Sequence, residues 1–110
     1  MASAFKTATA ADVGTSLTTV YTCPANTTST IIGLYLCNQT GGQIESTCEF
    51  YDASQTNHIG LVNDSPIPSG STLALAGGDA KIVLEAGDII KVQSNVASSI
   101  DVTLSDLEQT

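Results

Sequence analysis

Residues 30–38, TIIGLYLCN, carry apolar side chains on both alternations of a two-residue period. Ile32, Leu34 and Leu36 fall on one face, and Ile31, Tyr35 and Cys37 on the other. Successive side chains of a strand point to opposite faces, so this run predicts a central strand covered on both sides. Gly33 inside the run predicts a bulge or a close backbone approach.

The same period recurs along most of the chain. Residues 17–23, LTTVYTC, form a Thr-rich strand ending at Pro24. Thr40-Gly41-Gly42-Gln43 predicts a hairpin turn into a return strand over residues 44–52, IESTCEFYD. That hairpin would set Cys37 and Cys48 on one face, free and packed. Residues 58–62 form a short strand, and Asn63-Asp64-Ser65 a turn. Pro66 and Pro68 demand an edge or a crossover, because proline donates nothing to a ladder. Residues 71–75 form another strand, and residues 81–94 a second hairpin turning at Glu85-Ala86-Gly87-Asp88. Residues 100–107 alternate with Ile100, Val102, Leu104 and Leu107 inward, which requires a register shift near Asp106. About eight short strands with turn signals every 8–12 residues predict an all-β fold, a jelly-roll-like antiparallel β-sandwich. Residues 1–16 are small and weakly patterned; they are expected to form an extended N-terminal arm, with the sandwich domain over residues 17–110.

Composition narrows the function classes. The net charge is −8, and the three cations are Lys6, Lys81 and Lys91, with no Arg. Nucleic-acid binding needs clustered cations to neutralise phosphates, so no nucleic-acid partner is expected, and no anionic membrane surface either. No apolar run approaches the roughly 20 residues of a membrane-spanning helix. Residues 1–7, MASAFKT, lack the apolar core of a secretory signal, so a cytosolic site of synthesis is expected. Cys23, Cys37 and Cys48 are 14 and 11 residues apart, a spacing that fits no zinc pattern, and they are expected to be buried thiols.

Catalytic groups are scarce. His58 is the single histidine, and a Ser or Cys nucleophile would have no other base. Nothing beside Cys23 would activate its thiol. Glu45 and Glu49 share a strand face, but four residues of strand separate them by about 13 Å, too far for a glycosidase pair. Asp79, Asp88, Asp101 and Asp106 are expected in turns or at exposed positions. No calcium loop and no phosphate-cradling glycine loop is present. Tyr51 is the aromatic expected at the surface, where a glycan could stack on it. Asn26, Asn38 and Asn63 open N-x-Ser/Thr triplets that turn chemistry explains. The expectation is therefore a protein that is not an enzyme, with no catalytic, cofactor-binding or metal-ligating residues and no cofactor.

The order of features carries a resemblance. Val20-Tyr21-Thr22-Cys23-Pro24-Ala25 leads into the strand ending at Cys37-Asn38. Pro66-x-Pro68-x-Gly70, Lys81-Ile82-Val83-Leu84-Glu85-Ala86-Gly87-Asp88 and Ser105-x-Leu107-Glu108 follow. Over residues 17–108 the chain resembles small β-sandwich structural proteins of tailed-bacteriophage virions. The resemblance implies a virion protein made in the host bacterial cytoplasm, first as a capsid decoration (cement) protein. The alternative is a tail, neck or fibre component contacting host-surface glycans. Implied partners are the major capsid protein or other virion proteins and further copies of the chain, with a trimer as the first guess.

Overall fold

Thr, Val, Ile and aromatic residues alternating with short polar connections leave little that favours a helix, and the chain folds as strands throughout. The computed structural model describes residues 2–110; Met1 of the expected arm lies outside the described residues. The strands are β1 (Ser3–Val13), β2 (Thr18–Thr22), β3 (Thr28–Asn38), β4 (Ile44–Asp52) and β5 (Asn57–Ile67). They continue with β6 (Thr72–Ala76), β7 (Ile82–Leu84), β8 (Ile89–Ser94) and β9 (Ile100–Gln109). Every pairing is antiparallel. Sheet I has the order β1-β9-β3-β6, with β7 pairing the other end of β3, and sheet II has the order β2-β8-β4-β5. The two sheets pack face to face, so the expected antiparallel β-sandwich is the observed fold.

Between the sheets, Ile31, Leu34, Leu36, Val102 and Leu104 of sheet I meet Ile44, Cys48, Ile90 and Val92 of sheet II. Full burial of each aliphatic side chain is worth about 1.5–3 kcal/mol, so this layer holds the sandwich closed. β3 is central, between β9 and the β6/β7 side, as its sequence demands. Its phase differs from the expectation, because a bulge between Ile31 and Gly33 inserts Ile32. Ile31 therefore joins Leu34 and Leu36 inside, and Ile32, Tyr35 and Cys37 lie outside. At Gly33 a Cβ would come within 3.0 Å of the Tyr35 ring, so the absence of a side chain is required where that ring folds back.

Both expected hairpins at 40–43 and 85–88 are crossings between sheets. β3 and β7 lie in sheet I, whereas β4 and β8 lie in sheet II. Turn residues specify that the chain reverses, not whether it reverses within a sheet or over its end. Asn38 sets the first crossing: its Nδ2 donates to the Gly42 carbonyl (2.8 Å) and the Ile67 carbonyl (2.9 Å). Its Oδ1 accepts from the Thr40 amide and hydroxyl, both at 2.8 Å. Asp88 sets the second, accepting from Ala53 N (3.0 Å) and Glu85 N (2.9 Å), beside Gly87 at a φ of 90°. Cys37 and Cys48 consequently lie in different sheets, one outward and one inward, and both are free, like Cys23.

Two further differences concern extended segments. β5 runs through the expected turn at 63–65, with Asp64 at a φ of 52° in an irregularity of the ladder, and Pro66 opposite Glu45 on this edge strand. Residues 3–13 of the expected arm are extended and lie in register along β9, from Ser3 opposite Gln109 to Ala10 opposite Val102. Their alternate positions Ala4, Ala8 and Ala10 are too small to announce a core face in the sequence.

Candidate functional site

β9 holds the largest departure from sequence expectation. Its alternation runs without interruption, so Ile100, Val102, Leu104, Asp106 and Glu108 all point inward and are buried. Leu107 points outward, opposite to the expected arrangement. Placing Leu107 inward would require the register shift near Asp106; the strand keeps its period of two instead, and the acids take the inward positions.

The inward acids gather a polar cluster at one end of the sandwich. The Ser29 hydroxyl of β3 donates to Asp106 Oδ2 at 2.6 Å, and Asp106 Oδ1 has no hydrogen-bond partner. Across the sheets, the Tyr21 hydroxyl of β2 donates to Glu108 Oε2 at 2.6 Å. Lys6 Nζ of β1 stands 3.3 Å from Glu108 Oε1. The Tyr21 hydrogen bond holds the Glu108 carboxyl below its usual value, outweighing burial, with Lys6 adding to it. Burial, then the bond to Glu108, pushes the Tyr21 phenol well above its ordinary value. A phenol so held stays protonated and donating, so the cluster fastens β1, β2 and β9 together. Among the described residues, no group of three His, Cys, Asp or Glu side chains converges in a way that could hold a metal ion.

The residues singled out for chemistry lie elsewhere, on the outer face of sheet II. His58 Nδ1 is 3.5 Å from Glu49 Oε2, and its ring centroid is 4.8 Å from that of Tyr51. Lys91 Nζ lies 5.6 Å from the Tyr51 ring, which is half-buried beneath these neighbours. These are cross-strand pairs: Tyr51 opposes His58, and Glu49 opposes Lys91. Glu45 sits further along the same face, at a shallow polar depression of about 140 Å³ lined by Thr47, Asp64, Gln93, Ser94 and Asn95. Of the aspartates expected in solvent, Asp79 is exposed and Asp101 half-buried, whereas Asp88 and Asp106 are buried. Among the thiols, burial pushes Cys48 up to about 12, with the Glu49 charge adding to it. Burial and the Glu108 charge raise Cys23.

The outer face of sheet I is of another character. Phe5 opposes Leu107, Leu107 opposes Thr30, and Thr30 opposes Val83, so four side chains stand abreast across four strands. Phe5 is 76% exposed and Val83 57% exposed. Ile32 and Tyr35 continue the patch along β3. The charged residues of this face are Asp101 and, in the β1 bulge beside it, Asp12, both at the end away from the Phe5–Val83 row. The four sheet edges also differ. β5 carries Pro66 and an irregular ladder, β2 is five residues long with a bulge, and the β6/β7 edge is interrupted by Gly77–Lys81. β1 presents a regular open edge over Ser3–Ala10, bearing Lys6, and then a bulge at Asp12 before Val13.

No protein-family model matches the chain, and no curated protein matches it. Among solved structures, one described as a Bacillus endospore appendage of a novel family of disulfide-linked pili has a TM-score of 0.57 at 13% sequence identity. The alignment covers 98% of this chain and 88% of that one. Likeness at this identity is one of fold. There is no helix long and apolar enough to cross a membrane among the described residues.

Proposed function

We propose that this chain is a non-enzymatic structural subunit that works by binding other subunits, in the first place as a capsid decoration (cement) protein of a bacteriophage virion. One observation carries the reading: β1 is a long edge strand left open, while the other three edges are short, interrupted or proline-bearing. An open edge accepts another strand through main-chain hydrogen bonds, and natural folds usually guard against this. The segment is held mainly by its main-chain ladder to β9. Of its eleven side chains only Val13 is buried, and Lys6 is its one charged tether to the rest of the sandwich. The virion setting comes from the sequence resemblance over residues 17–108.

A second reading, a component of a tail, neck or fibre, rests on the same sequence resemblance; the fold likeness to a structure described as disulfide-linked pili supports a structural subunit in either setting. Copy number separates the two. A decoration protein is expected in many copies per purified particle by quantitative mass spectrometry, a tail or fibre component in few. Absence from purified particles removes both virion readings. Deleting residues 1–16 is expected to leave a folded sandwich by circular dichroism and to abolish particle binding. If the truncated chain instead binds as the full chain does, β1 is not the attachment element.

A further inference from the structure

The outer face of sheet I, besides the β1 edge, lacks a partner in the single chain. The sequence of β3 demands cover on both sides, and the fold supplies it on the inner side only: Ile32 and Tyr35 remain at the outer surface. We propose that two copies of this chain pack sheet I against sheet I, outer face to outer face, about the Phe5–Leu107–Thr30–Val83 row. The proposal deepens the subunit reading above and rests on it, by naming one partner and the surface that meets it.

Charge selects the occupant. The chain carries −8, so two copies repel unless they meet where charge is sparse. The outer face of sheet II presents Glu45 and Glu49, with Asp64 at its edge, and would draw a basic partner. Around the Phe5–Leu107–Thr30–Val83 row sheet I offers nothing for a charged partner to select, because Asp12 and Asp101 lie together at its other end. It is complementary to a surface equally free of charge, and the same face of a second copy is such a surface.

Area agrees. Four strands at about 4.8 Å spacing and some eight residues at about 3.3 Å rise give a footprint on the order of 500 Å² per copy. Side-chain relief brings the pair to roughly 1,000–1,200 Å², at the lower limit for a specific interface. The pair is thus expected to be weak and reversible in solution, and stronger within an assembly that concentrates it. Contact of like faces gives a two-fold, isologous pair, which closes on itself and differs from the trimer expected from sequence. Two sheets meeting this way lie about 10 Å apart with strands near-aligned, as within one sandwich.

Sedimentation equilibrium of the purified full chain tests this. The expected result is a monomer–dimer equilibrium with a dissociation constant of order 10–100 μM. Phe5→Ser and, separately, Val83→Glu are expected to weaken it at least tenfold, and Lys91→Glu on sheet II to leave it unchanged. Both sheet I positions are exposed, so unchanged circular dichroism and melting keep a folding defect apart from loss of contact. A chain monomeric to about 1 mM overturns the proposal. So does a dimer indifferent to both sheet I variants. If the chain is monomeric but Val83→Glu lowers its incorporation into particles, a different protein covers the face, and the second-copy assignment fails while the subunit reading stands. A dimer lost on Val83→Glu in a chain absent from particles gives the converse: the pairing holds and the virion reading fails.

Discussion

The two sheets of this sandwich place charge oppositely. Sheet II follows the usual rule, with Ile90, Val92 and Cys48 inside and Glu45, Glu49 and Lys91 outside. Toward the Phe5 end sheet I inverts it: Lys6, Asp106 and Glu108 turn inward, and Phe5, Leu107 and Val83 turn outward. In a free monomer exposing Phe5, Leu107 and Val83 forgoes burial, and the desolvation of the inward carboxylates is offset by their bonds to Ser29, Tyr21 and Lys6. The arrangement is economical if something apolar lies over sheet I, because the face then becomes a second interior. The difference teaches where to look for contacts, and the inward acids make it testable.

The largest expected effect contrasts two leucines of β9. Leu104→Ala opens a cavity in the layer between sheets and is expected to cost about 3 kcal/mol or more. Leu107→Ala, three residues on but outward, is expected to cost below about 1 kcal/mol in the isolated chain. Urea unfolding of the two variants checks the pair. Equal losses would mean that sheet I is covered already in the free protein, and the comparison would fail.

Ser29→Ala comes next. It removes the one hydrogen bond received by Asp106, whose other oxygen is already unpaired, and leaves a wholly buried carboxylate bare. Such a loss costs about 1–3 kcal/mol. A neutral result would show that the inward acids are not held as described.

Much of this architecture is legible in the sequence. The period of two and the spacing of turn residues give the strands, and two-sided hydrophobicity gives the central place of β3. Pro66 marks an edge strand. Sheet membership was hidden, because Thr40-Gly41-Gly42-Gln43 encodes a reversal that suits a hairpin or a crossing equally. What decides is Asn38, whose buried amide bonds to carbonyls far apart in sequence. The cluster at Asp106 and Glu108 was hidden for a different reason. An apolar Leu107 beside acidic Asp106 and Glu108 suggests a register shift, whereas the strict alternation of Ile100, Val102 and Leu104 carries the acids inward. Its partners Tyr21 and Lys6 come from strands distant in sequence, which no spacing reveals. β1 was hidden because its inward residues before Val13 are Ala4, Lys6, Ala8 and Ala10, too small or too polar to announce a core face.

A smaller effect is read in the pH dependence of stability. Glu108 is held below its ordinary value of 4.5, so its contribution is full above that pH and is lost as pH falls through the lower folded value. Tyr21 is held above its ordinary value of 10.0; its contribution is full below pH 10 and declines as the unfolded chain ionises above it. Glu108→Gln is expected to flatten the acid limb, and Tyr21→Phe the alkaline limb, in thermal melts across pH. Unchanged limbs would mean that the bond between sheets is not formed in solution.

The smallest effect on stability, and the sharpest on the contrast between faces, concerns Cys37. It is half-buried on the outer side of sheet I, whereas Cys23 and Cys48 are buried with their thiols raised. In the free chain Cys37 is expected to react first with a thiol reagent, as read by intact mass and peptide mapping, with little change in melting. Access favours that order, and the raised thiols of Cys23 and Cys48 slow their own reaction. If copies cover sheet I, the rate at Cys37 falls as protein concentration rises, while a cysteine introduced at Thr19 on sheet II keeps its rate. A rate at Cys37 independent of concentration would leave the inverted face of sheet I uncovered in solution, and its partner would have to be sought among other proteins.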